Sequence, residues 1–111
     1  MSAEENFAQS KSQLETLGVS VNEALLQKVI NGMGIANQNL DSSLVAASDQ
    51  SELDTVRKNF MWDKLGIHDD DANAAAVAGV AEKMSQFQQK QRGAFYYLLT
   101  VDAGKESVYG L

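Results

Sequence analysis

The chain has 111 residues, of which 44% are hydrophobic and 22% charged, enough apolar surface for one core and a composition unlike disordered or membrane-spanning chains. Its formal net charge of -6, with only Lys11 and Lys28 set against eight acids over residues 1–55, repels phosphate backbones and argues against nucleic acid as a partner. Cysteine is absent, which excludes disulfides and thiolate chemistry; no apolar run approaches the ~18 residues of a membrane span, and the acidic start is unlike a signal peptide, so a cytoplasmic protein without a membrane partner is expected.

Ser2 and Glu5 have the spacing of a reciprocal capping box and predict a helix from about Ala3 to Leu17. Its apolar stripe, Phe7, Leu14 and Leu17, is thin, so residues 1–18 are expected to form the least firmly attached element. Gly18 permits a left-handed stop, and Ser20 with Glu23 repeats the capping box before Leu25, Leu26, Val29, Ile30 and Met33, which recur at helical spacing. Residues 35–48 show no clear period; a short helix is expected near Ser43 to Ala47.

Asp49 as N-cap, Glu52 three places on and Gly66 as a stop bound the next helix. Leu53, Val56 and Phe60 form its core face and Met61 and Leu65 widen it, while Trp62 falls about 180° from Leu53 at ~100° per residue. Trp62 is therefore either covered by another part of the chain or part of an association surface.

The stretch "GIHDDDANAAA" places the lone His68 beside Asp69, Asp70 and Asp71. Read as an EF-hand loop it fails, with Ala74 where glycine is needed and Val80 where glutamate is needed, and a zinc site lacks further His or Cys ligands. Carboxylates at the start of an alanine-rich run instead suit the positive end of a helix, so capping is the reading adopted and no metal is expected. That helix carries Val77, Val80, Ala81, Met84 and Phe87, and the small Ala74, Ala75, Ala76, Ala78 and Gly79 are expected to let a neighbouring helix approach closely. Polar residues 85–91 do not forbid its continuation. Ala94, Phe95, Tyr96, Tyr97, Leu98, Leu99 and Val101 then surround a helix axis, which predicts a central buried helix ending at Gly104. Residues 105–111 form a tail that docks through Val108, Tyr109 and Leu111.

"GIANQNLDSSLVAASDQSELDTVRKNFMWDKLG" and "FYYLLTVDAGK" resemble a family of short bacterial proteins, domain of unknown function 2853. The likeness spans about Val21 to Lys105, is most specific at Asn39-Leu40-Asp41, Ser43-Leu44-Val45, Ser48-Asp49 to Phe60, Lys64-Leu65-Gly66 and Phe95 to Leu99, and is weak over the first helix. It implies a small all-helical cytoplasmic protein and passes on no functional residues.

The expectation is one all-α domain over 1–111, a compact bundle of four main helices plus one short helix. There is no glycine-rich phosphate loop, and acid pairs such as Glu82 with Asp102 or Asp54 with Asp63 come without a nucleophile motif, so no catalytic residues and no cofactor are expected. The leading functional expectation is a protein–protein interaction or self-association module, a homodimer or a binder of another protein, with Trp62, Met61, Leu65 and Tyr96 as interface candidates. The alternative is a small-ligand or metal-binding protein with a pocket near Tyr96, Tyr97 and His68.

Overall fold

The Ser2 side chain accepts a hydrogen bond from the Glu5 backbone N–H and opens α1, Ala3–Thr16. The computed structural model describes residues 2–39 and 42–111 and, for Ile35, the backbone only; Leu40 and Asp41 of the family-like motif lie outside the described residues. Helix α2 spans Glu23–Gly32 and is followed by a 3₁₀ turn, Gly34–Gln38. Its N-cap is Asn22, whose side chain accepts from the Leu25 N–H, and not Ser20 as the spacing suggested. The reason is tertiary: the Asn22 backbone N–H donates to the Tyr97 hydroxyl at 2.8 Å, which engages the chain at residue 22, immediately ahead of the helix.

The expected short helix at 43–47 is absent; Leu44–Val45 is instead a strand, β1. It pairs antiparallel with β2, Lys90–Gln91, Leu44 facing Gln91 and Val45 facing Lys90. The Arg92 backbone N–H donates to Ser43 O at 2.8 Å, and its side chain takes Ser42 O and Leu44 O, so long-range bonds hold the segment extended.

Asp49 caps α3, Gln50–Thr55, which runs on as a π-helical segment over Val56–Lys64. In this wider helix Val56, Phe60, Met61 and Leu65 share the buried face, a spacing of four, five and nine that suits i→i+5 bonds better than i→i+4. The segment closes with Leu65 N–H on Phe60 O at 2.8 Å, and Gly66 turns away at φ +70, a stop as expected.

Helix α4 is Asp70–Lys83, capped by Asp69, whose side chain accepts from the Ala72 N–H. It ends well before residue 91, so the continuation left open by the sequence does not occur. Nor does the close approach over its small residues: Ala74, Ala75, Ala78 and Gly79 face solvent, and Asn73, Val77 and Val80 turn inward. Helix α5, Arg92–Asp102, is the central one, packing on α1, α2 and α4. Its Gly93, Ala94, Phe95, Tyr97, Leu98, Leu99 and Thr100 are buried, whereas Val101 is exposed. Of the tail, a 3₁₀ turn at Glu106–Tyr109 docks through Tyr109; Val108 and Leu111 stay exposed.

The all-α class therefore holds, with one two-stranded ladder added. The described residues carry four α-helices of ten residues or more and a short one, but the short one is α3, not residues 43–47.

Helix α1 departs most from its expected stripe. Asn6, Ser10 and Leu14 are its buried residues, with Phe7 and Leu17 half-buried. The Asn6 amide donates to Asn37 Oδ1 at 2.8 Å, Gln9 accepts from the Gln91 side chain at 2.7 Å, and Gln13 accepts from the Gln91 backbone N–H at 3.0 Å and donates to Gln89 O. Ser10 lies against Gly93, where an added Cβ would overlap Ile30 and Ser10, so glycine sets the spacing between α1 and α5.

Candidate functional site

The sequence-derived interface candidates separate on folding. Met61 (1% exposed) and Leu65 (3%) are core, on the apolar face that the spacing had them widen, and so cannot serve as interface residues. Trp62 is 37% exposed and keeps the outward direction its helical position predicted.

Trp62 is held from one side. After Gly66 the chain folds back along the π segment, with Ile67 N–H on Met61 O at 3.0 Å and the Asn73 amide on Ile67 O at 2.7 Å. This return places the His68 ring on the indole, centroids 4.6 Å apart and 28° between planes. The aspartates that follow act as the helix start: Asp69 caps α4 and Asp70 and Asp71 fill its first turn, where the helix dipole favours negative charge. Among the described residues, no group of three or more His, Asp or Glu is placed to hold a metal ion.

Around Trp62 lies an open concavity of about 390 Å³ lined by Asp54, Arg57, Lys58, Asp63 and Asp70 as well as the indole. Arg57 bridges Asp54 at 3.4 Å and Asp70 at 3.6 Å, tying α3 to α4. Among the described residues, neither Lys58 nor Asp63 takes part in an ion pair. The acid pairs considered from sequence are engaged on one side each: the Gln50 amide donates to Asp54, and Asp102 pairs with Lys83 at 2.7 Å.

Tyr96, the remaining interface candidate, is half-buried on the opposite flank. Its ring stacks on Phe60 with centroids 3.9 Å apart, and its hydroxyl accepts from Arg92 Nη1 at 2.9 Å. Arg92 also donates to Ser42 O, Leu44 O and the Glu52 carboxylate, so one guanidinium ties α5 to the β1 segment and α3. Burial works to lower the Arg92 pKa, and the contacts with Tyr96 and Glu52 outweigh it and raise it above the ordinary value. Sequence reading missed this clamp. A positive charge in the first turn of an apolar helix opposes the helix dipole, and that mismatch was the available sign of a long-range partner.

The ligand-pocket alternative is not assembled. Tyr96 lines two shallow concavities, the Tyr97 hydroxyl is taken by the Asn22 N–H and its ring lines a third, and His68 lines none of these. The larger concavity at Tyr97, about 480 Å³, has an apolar floor of Leu17, Val19 and Leu98, and its two charged groups, Lys83 and Asp102, are paired with each other.

With the geometry in place, the chain can be compared with known families. The model of the family described as "Protein of unknown function (DUF2853)" matches residues 8–107. The chain belongs to this family. The match begins inside α1 and ends in the tail turn, so the family unit includes the amide-bearing face of α1 from Gln9 onward, the π-helical segment and the Arg92 clamp. No curated protein matches the chain. Among the described residues, no helix is long and apolar enough to cross a membrane.

Proposed function

We propose that the chain is a non-catalytic protein-binding module whose contact surface is the outer face of the π-helical segment, centred on Trp62. The observation that carries this reading is a large aromatic left 37% exposed while its ring is already fixed by stacking on His68. An anchor held in place before docking loses little side-chain freedom on binding, and Trp is among the residues most enriched at such anchors. Covering what remains exposed removes on the order of 90 Å² from water, about 2 kcal/mol at 25 cal/mol/Å². The charged rim around it supplies orientation more than affinity. π-Helical turns also concentrate at functional positions, which adds weight to this face over the others.

The test is native mass spectrometry and sedimentation on the full chain and on Trp62→Ala. The expected result is a bound protein mass, of a second copy or of another chain, that is lost in Trp62→Ala while the circular-dichroism melt stays unchanged. Association that survives the substitution, or a small co-purifying molecule as the sole companion, overturns the reading.

A further inference from the structure

The Trp62 concavity is lined by charges of both signs. Arg57 is engaged within the chain by Asp54 and Asp70, but Lys58 and Asp63, both exposed and lining the same concavity, take part in no ion pair among the described residues. They stand five residues apart in a segment with i→i+5 bonds, a spacing that returns to the same side of this wider helix. One side of the segment therefore presents a positive and a negative group about one turn apart, with Trp62 lining the same concavity.

A twofold contact places residue i of one copy against residue j of the other and j against i, so a surface with opposite charges at its two ends is complementary to itself. A uniformly acidic or basic partner would satisfy one of the two groups and repel the other. A second copy satisfies both at once.

Resting on the Trp62 reading above, we propose that the π-helical segment is a homodimer interface: two copies pair antiparallel about a twofold axis, Lys58 of each meeting Asp63 of the other, with the two indoles closing the centre. The experiment is sedimentation equilibrium on the full chain, on Lys58→Glu and on Asp63→Lys, alone and mixed, with folding checked by circular dichroism. The wild-type chain forms a reversible dimer. Each single reversal sets like charges against each other twice and weakens self-association roughly tenfold or more. Mixed in equal amounts, the two variants form a heterodimer near wild-type strength. The glutamate introduced in one variant then meets the lysine introduced in the other, and the unchanged Asp63 and Lys58 meet in the second pair. A wild-type chain that stays monomeric, single reversals that dimerise unchanged, or a mixture that recovers nothing overturns the pairing. If Trp62→Ala still removes binding of a different chain in those cases, this pairing falls and the underlying reading stands; if Trp62→Ala leaves every association intact, the underlying reading falls with it.

Discussion

Helices α1 and α5 meet at Gly93 and Ser10, yet they enter the core by opposite means. Helix α5 is apolar almost all round and is buried by three other helices. Helix α1 brings one fully buried leucine, the buried Ser10 against Gly93, and a row of amides, Asn6, Gln9 and Gln13, which find partners on Asn37, Gln89 and Gln91. Burial is non-directional and tolerates small shifts, whereas amide pairs fix register and lose their contribution when one partner is removed. The difference is between an element that gives the fold its stability and one that gives it a defined arrangement.

The comparison can be broken most severely at Phe95, which is fully buried in α5. Phe95→Ala is expected to cost about 3–5 kcal/mol in urea unfolding, the range for deleting an aromatic from a packed core. A cost near that of a surface change would mean α5 is not the centre. On the α1 side, Asn6→Ala leaves the buried Asn37 Oδ1 without its donor but also removes an Asn6 Oδ1 that has no partner of its own among the described residues. The expected cost is therefore about 1 kcal/mol, at the low end for stranding a buried polar group, and a double-mutant cycle with Asn37→Ala should show coupling between the two.

A pH-dependent effect separates α1 from the tail. The amides that hold α1 do not titrate, while Tyr109 does: burial first, and then the neighbouring Tyr96, push its pKa from 10.0 up to about 12. A pKa raised in the folded state gives stability that is whole below the unfolded value and lost as pH rises, so the tail's contribution should fade between pH 10 and 12. Ultraviolet titration of tyrosinate in the wild type against Tyr109→Phe measures it. Amide exchange should show the tail loosening in that window while α1 stays protected.

What the sequence made legible was whatever depends on neighbours in the chain. The α2 stripe, the Asp69 cap, the Gly66 stop and the outward direction of Trp62 all follow from spacing and local chemistry. What escaped depends on distant partners. Residues 44–45 are extended because β2 and Arg92 hold them, and Asn22 displaces Ser20 as a cap where Tyr97 reaches across from α5. The amide face of α1 read as a thin stripe because Asn and Gln show their value only beside their counterparts. Of the candidate surface, Trp62 was found from its angle, whereas Met61 and Leu65 lie on the core face that the spacing had them widen and leave the interface set, while the widening of the helix to five-residue bonds has no local signature in this stretch.

The Arg92 clamp has a consequence for how the chain comes to be folded. Its guanidinium gathers groups forty to fifty positions earlier, at Ser42, Leu44 and Glu52, and it opens the helix on which α1, α2 and α4 all rest. During synthesis α1 can meet α2, and α4 the π-helical segment, before the helix they share has been made. A chain lacking residues from 92 onward keeps the means for those two pairings and lacks the helix that joins them.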